Sequence, residues 1–316
     1  MVSLIKNELM KTFTKKASWI YIIIIALAAI VIGVIFHNFS GEPDKNWRKD
    51  LESQIAQAEK DLQNEEIPAT EKKFIKEQME INQNYLDENV NPNAVSNWHF
   101  MNSVVTGLTV LVTLFTVIVS SASVSAEFAD GTIKQLLIRP HQRWSILLSK
   151  YISLLIYSLI LVVTLIAAGY ITGLVLFGAG DYSAKIFELA IDGQKETIVG
   201  AQFFLKVLYY LPSLLVIMTI SFMLSTLFKS QALAVGIGIF VLFVSSALGS
   251  LIVVLAKKFT WAKFLIFPHL DLTVYALQDK ILENVTLPMS LGILGVYYII
   301  FIVLTFVFFQ KRDISI

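Results

Sequence analysis

Six predominantly apolar runs punctuate the chain, at 19–36, 101–123, 151–177, 204–228, 232–256 and 288–310. Each is close to the roughly 20 residues that a helix needs to cross about 30 Å of hydrocarbon. Their length and lack of strand-like alternation predict six transmembrane helices, TM1 to TM6 in chain order. The first run lacks a small-residue cleavage pattern, so it is expected to stay in place rather than act as a removable signal.

The polar intervals carry patterns of their own. In 1–18, Leu4, Ile5, Leu9 and Phe13 recur at helical spacing while Lys6, Lys11, Lys15 and Lys16 fall elsewhere. This predicts an interfacial helix whose lysines meet anionic lipid; a solvated basic terminus that only fixes topology is the simpler alternative. In 37–100, Leu51, Ile55, Ala58 and Leu62 follow a heptad-like spacing. A turn at Ile67-Pro68-Ala69-Thr70 precedes a second stretch with Phe74, Ile75, Met79, Tyr85 and Leu86. The interval therefore reads as a helical hairpin, against the alternative of a loose charged spacer. The interval 178–203 reads as a loop. In 257–287, Trp261, Phe264, Leu265, Phe267, Leu272, Tyr275 and Leu277 surround Pro268 and predict short amphipathic helices at or dipping into the membrane surface. The sequons at Asn38 and Asn284 read as chance matches.

Composition sharpens the class. The chain is 56% hydrophobic with mean hydropathy +0.69, and only 16% of it is charged, against about 25% in a soluble domain. With no cysteine, disulfides, thiol catalysis and thiolate metal sites are excluded. The net charge of +1 says little, but its distribution is informative. With both termini and the interval 124–150 placed inside, the inner segments carry eleven of the 25 basic residues and four of the 24 acidic ones. That asymmetry predicts cytoplasmic termini. Lys257, Lys258 and Lys263 oppose it and are outnumbered. The expected fold is thus an all-α, six-span membrane protein with a cytoplasmic interfacial helix and an extracellular hairpin between the first two spans. A multi-pass protein of a bacterial plasma membrane is expected, and nucleic acid is not an expected partner.

Chemistry-bearing motifs are sparse. There is no Gly-Lys pair, hence no P-loop, and neither H-E-x-x-H nor G-x-S-x-G occurs. The four histidines, His37, His99, His141 and His269, are too dispersed to suggest a zinc site, although His269 could pair with Asp271. Ser120, Ser121, Ser245 and Ser246 lie inside apolar runs, where small polar residues more often pack helices than catalyse. Ionisable groups are nearly absent from mid-span, which argues against a self-powered ion-coupled carrier. Gly236, Gly238, Ser245, Ser246, Gly249 and Ser250 predict close helix approach in the fifth run, and Pro212 predicts a kink in the fourth.

The interval 124–150 is the most distinctive. Glu127 and Asp130 form an acidic turn, and Gly131 can end it. Thr132 can cap a short helix with Ile133, Leu136 and Leu137 on one side and Lys134 and Gln135 on the other. Arg139-Pro140 ends that helix. Arg143, Trp144 and Lys150 then lead into the third run at headgroup level. An ordinary positive-inside loop is the bland alternative.

These residues resemble the permease subunits of ABC-2 type ATP-binding-cassette exporters. In that family a pattern E-x-x-x-G-T-[IL]-[KE]-x-L-L-x-x-P-x-x-R joins the second and third spans, and residues 127–143 match it throughout. The closing Phe308-Phe309-Gln310-Lys311-Arg312-Asp313-Ile314 is similar to the way many such permeases end, and the chain is most similar to the peptide-antibiotic or bacitracin export type. The hairpin is longer than the minimal family pattern. The resemblance implies a dimer with a second copy or a paralogue, served by a separate cytoplasmic ATPase that holds ATP and Mg. No cofactor and no catalytic site are implied on this chain. Residues 132–139 would be the coupling helix in a groove on the ATPase, with Glu127, Asp130, Gly131, Thr132, Lys134, Leu136, Leu137, Arg139, Pro140 and Arg143 forming the coupling site. Glu127 and Asp130 would fix it to the N-terminal helix or to the ATPase. The pathway would run between the two halves along spans two and five, with Gly236, Gly238, Ser245 and Gly249 at the dimer or pathway face. An apolar cavity suits an amphipathic peptide, lipid or drug. The competing expectation is a membrane sensor or assembly scaffold acting through its outer hairpin.

Overall fold

The computed structural model describes residues 1–40, 46–132, 142–190, 193–256, 258–282 and 284–312. It is 79% helical. Helix α1 (Val2–Thr14) turns at Lys15 into α2 (Lys16–Ser40). Helices α3 (Trp47–Gln63) and α4 (Ala69–Asp87) follow. A short α5 (Asn97–Phe100) runs through a π-helical turn (Met101–Val105) into α6 (Thr109–Ala122) and α7 (Ser125–Ala129). The long α8 (Arg143–Phe177) leads to the strands β1 (Lys185–Ala190) and β2 (Gly193–Ile198). Then come α9 (Val199–Leu227) and α10 (Gln231–Ala256), three 3₁₀ turns (Thr260–Phe264, Phe267–Leu270, Thr273–Ala276), the strands β3 (Lys280–Leu282) and β4 (Val285–Thr286), and α11 (Leu287–Lys311).

Among the described residues five helices are long and apolar enough to cross a membrane: α2, α6 with α7, α8, α9 and α11. A sixth, α10, is bent by 41° between Gln231–Ser245 and Ala247–Ala256. Pro212 leaves α9 a single continuous element. The third apolar helix starts at Arg143 rather than at 151, so Lys150 belongs to a helix and not to a loop.

The main core joins α2, α5, α6, α8 and α9 through Ile25, Phe100, Val112, Leu161, Leu165, Phe203 and Leu214. Close approach of α8 depends on glycine. A Cβ on Gly173 would stand 2.1 Å from Asn97 Oδ1, and one on Gly33 would stand 2.6 Å from Thr172 Cγ2. With lipid as apolar as leucine, such tight van der Waals contact is what holds apolar helices together.

The all-α expectation needs correcting. The intervals 178–203 and 257–287 contain the antiparallel pairs β1–β2 and β3–β4, and the latter interval otherwise holds 3₁₀ turns. Ile186, Phe187 and Leu189 do not alternate cleanly, because β1 is covered by a helix instead of lying half exposed.

That helix is α4. Leu51 of α3, Ile81 and Tyr85 of α4 and Phe187 of β1 form a separate core with Trp47, Leu86, Val90 and Leu189. The Tyr85 hydroxyl accepts from Phe187 N at 3.0 Å and donates to Phe187 O at 3.2 Å. Lys185 bridges Glu88 at 2.9 Å and Glu196 at 3.0 Å. Phe74, expected on the apolar face, is 55% exposed. Two short charged helices are marginal alone; here β1 completes their core. Phe187→Ala is expected to cost about 3–5 kcal/mol locally and to accelerate amide hydrogen exchange in α3 and α4 while α6, α8 and α9 keep their protection. Unchanged exchange in α3 and α4 would show that the hairpin stands without β1.

Candidate functional site

One end of the bundle is held by charges. Lys150 lies on the buried stripe of α8 that also carries Ile146, Leu147, Ser153, Leu154 and Tyr157, and it is 1% exposed. Its Nζ donates to Glu127 Oε1 at 2.5 Å and to Glu8 Oε2 at 2.8 Å. Lys11 of α1 pairs with the same Glu127 oxygen. Glu127, in α7, is buried; its Oε2 has no partner among the described residues. A buried ammonium is tolerated only when carboxylates surround it, so α1, α7 and α8 are tied together by one requirement. Burial first, then the neighbouring Lys11 and Lys150, push the Lys15 ammonium below its ordinary pKa.

Each element is fixed by further contacts. The expected apolar face of α1, with Leu4, Ile5, Leu9 and Phe13 half-buried, packs on α8. Phe13 meets the Tyr157 ring edge-on at 5.7 Å, and the Tyr157 hydroxyl donates to Ser18 O at 3.0 Å. The first amides of α7 lack a cap from their own helix; Val124 N and Ser125 N donate to Ser225 Oγ of α9 at 2.8 and 3.0 Å. That satisfies donors every helix start leaves free. Arg312 donates to Thr226 O and stacks 4.3 Å from the Phe128 ring centroid. Arg143 donates to Gln310 O at 3.3 Å and Arg312 O at 3.2 Å, closing the end of α11.

The residues expected to couple to a partner divide three ways. Glu127 is buried and paired within the chain, to α1 as well as α8. Asp130, Gly131 and Thr132 are exposed, and Gly131 has φ +69°, the left-handed conformation that ends a helix. Arg143 is exposed and serves α11. Lys134, Leu136, Leu137, Arg139 and Pro140 lie outside the described residues. Glu8, as a partner of Lys150, and Lys11, as a partner of Glu127, went unnoticed in the sequence. The available signal was that Glu8 falls on the apolar face of α1, at i+4 from Leu4, and Lys150 on the apolar face of α8. Opposite charges on two apolar stripes can be buried only together.

Between α6, α9, α10 and the 3₁₀ turns lies a cavity of about 660 Å³. Ser245 and Gly249 line it, as do Lys206, Tyr210 and Ser213 of α9. Gly238 also lines it and packs α10 on α6, since a Cβ there would stand 2.5 Å from Ser121 Oγ. Gly249 allows α10 to approach Phe267 O. Gly236 does not fit the expected close approach: nothing lies within 4 Å of where its Cβ would be. It belongs to the exposed side of α10.

His269 does not pair with Asp271. Its Nδ1 lies 2.8 Å from Ser290 Oγ and its Nε2 lies 2.8 Å from Lys263 O, while Asp271 accepts from Thr273 N and Oγ1. A carbonyl partner requires a proton on Nε2, so Nδ1 accepts from Ser290. The imidazole is fully buried, and burial holds its pKa below the ordinary 6.5. It pins the 3₁₀ turns to α11.

Two outcomes are expected. Lys150→Met should lower stability by about 3–5 kcal/mol, the cost of stripping a buried ion of its partner. Glu8→Gln should cost less, because that side chain is 16% exposed and Glu127 keeps Lys150 paired. Thermal denaturation in detergent ranks the two, and equal midpoints would refute the hub role. For His269, the unfolded chain binds a proton near pH 6.5 and the folded chain only at lower pH. Its contribution is therefore complete above pH 6.5 and declines as the pH falls through that value. The thermal midpoint of wild type should drop between pH 7.5 and 5 by more than that of His269→Asn.

Comparison with known proteins places the chain. A family model described as "Protein of unknown function (DUF2705)" matches residues 67–315. In Bacillus subtilis (strain 168) the chain is similar to the uncharacterized protein YhcI, 34% identical over 322 residues and covering 100% of both chains. It is also similar to the uncharacterized membrane protein YdbK of the same organism, 31% identical over 210 residues, 66% of this chain and 80% of that one. With its apolar helices and a match running through most of its length, this membrane-associated chain belongs to the DUF2705 family.

Proposed function

We propose that the chain is the membrane-spanning permease subunit of an ABC-2 type exporter in a bacterial plasma membrane. In this reading it crosses six times with both termini in the cytoplasm, and it pairs with a second permease. A separate cytoplasmic ATPase that holds ATP and Mg drives it, and this chain supplies no catalytic group. The substrate is an amphipathic peptide, lipid or drug.

The observation that carries the reading is the setting of Glu127. It is the first residue of the pattern spanning 127–143 and the buried hub shared by α1, α7 and α8. The segment 133–141 thus leaves a braced α7 and re-enters the chain at the start of α8. A push on that segment would act on α1 and α8 as one body, a geometry suited to turning closure of an outside machine into rigid movement of apolar helices. The sequence has no P-loop, so in this reading nucleotide hydrolysis falls to another chain.

A second reading is favoured by the outer core of Leu51, Ile81, Tyr85 and Phe187. A folded outer unit is more than a spacer requires, and it would suit a sensor or an assembly scaffold.

The test is a detergent pull-down of tagged protein from its native host, with mass spectrometry of what is recovered. Wild type should bring down a P-loop ATPase, and Arg139→Glu should lose it while remaining in the membrane. A second permease in the eluate would distinguish a heterodimer from a homodimer. No ATPase with wild type would end the exporter reading. Function that is then lost on deleting 46–90, but kept in Arg139→Glu, would favour the sensor.

A further inference from the structure

The cavity between α6, α9 and α10 is apolar over most of its wall, with Val207, Ile217, Val241, Leu242 and Val253 among its lining residues. Its volume, about 660 Å³, lies within the range of small-molecule sites. Two polar features stand out against that wall. Lys206 is a half-buried cation, and no carboxylate pairs with it among the described residues. Ser213 is 3% exposed, and its hydroxyl has no hydrogen-bond partner although it lines the cavity.

Lys206 is held in place by a relay. Glu188 Oε2 of β1 accepts from Gln202 Nε2 at 2.5 Å, and Gln202 Oε1 accepts from Asn102 Nδ2 at 2.5 Å. The Asn102 carbonyl, in the π-helical turn, accepts from Lys206 Nζ at 3.2 Å. One carbonyl uses one of the three ammonium donors. Glu188 acts on Lys206 only at longer range. The other charged wall residue, Asp271, is exposed and already engaged by Thr273. π-Turns recur at functional sites because they set a carbonyl or side chain out of helical register; here the turn aims Asn102 O at a lysine on the cavity wall.

We propose that this cavity binds an amphiphile with a single anionic head, a carboxylate or phosphate monoester, with the head on Lys206 and the tail along the aliphatic wall past Ser213. This deepens the transport reading by naming a substrate class, and it concerns α9 rather than the segment that would meet an ATPase.

The full chain in phosphatidylcholine nanodiscs, without an ATPase, tests it. A fluorescent dodecanoate should bind saturably above empty nanodiscs. Dodecanoate and dodecyl phosphate should displace it, and dodecanol should not. Displacement by lysophosphatidic acid as well would assign the site to a membrane lipid; displacement by the soluble amphiphiles alone would assign it to a solute. Lys206→Gln should weaken binding by roughly tenfold to a hundredfold, the worth of a hydrogen bond to a charge, and Lys206→Arg should restore it. If Lys206→Gln does not yield monodisperse protein, Ser213→Phe should abolish saturable binding by filling the cavity. Equal displacement by dodecanol, unweakened binding to Lys206→Gln or no saturable binding would overturn the proposal. Binding without a recovered ATPase would keep this site and sink the exporter reading, and the converse would do the reverse.

Discussion

A lysine ammonium removed from water inside an apolar helix bundle must find carboxylates, and Lys150 finds two, Glu8 and Glu127, on separate elements. The packing at that end follows. Helix α1 turns its apolar face to α8 because Glu8 has to reach Lys150. Helix α7 breaks from α6 because Glu127 must point the same way, and Ser225 then satisfies the amides that the break exposes. Lys11 balances the second carboxylate. Apolar replacements of similar volume would leave α1 free to slide, whereas an ion pair with directional donors sets one register.

The opposite end uses a different bond type for the same purpose. Beside the ion pairs of Lys185, uncharged groups make many of the ties there: Asn102 to Gln202, the Thr113 and Tyr210 hydroxyls to each other, Tyr85 to the backbone of β1, His269 to Ser290. Lys195 and Asp279 join the two β-pairs across the surface. The cavity lies beside these polar ties, where α10 bends.

How much of this was legible follows from the period of each signal. Long apolar runs read through any context, so the helices over 19–36, 204–228, 232–256 and 288–310 could be placed within a few residues. Lys150 hid the first two turns of α8, since a hydropathy window counts a charge as a break whether or not a partner buries it. The β-pairs were illegible because β1 and β2 are six residues each and draw their covering helix from a segment a hundred residues away. Among candidate site residues, Glu127 could be named from its pattern but Glu8 could not, because its significance exists only once α1 lies on α8. Gly238 and Gly249 showed their packing role through size alone; Gly236, equally small, faces away, and only the azimuth of α10 distinguishes them.

Four ties between the stretches 85–124 and 187–225 share a nearly constant offset. Tyr85 meets Phe187, Asn102 meets Gln202, Thr113 meets Tyr210 and Val124 meets Ser225, at separations of 102, 100, 97 and 101 residues. A constant offset means that the two segments run in the same direction, with α8 returning between them. For a chain delivered from a ribosome, each polar group on the first segment must wait about a hundred residues for its partner. In the proposed membrane-spanning arrangement, Asn102, Thr113 and the amides of α7 would need shelter from lipid during that interval. The fold therefore sets an order of assembly in which α6 cannot settle until α9 has arrived.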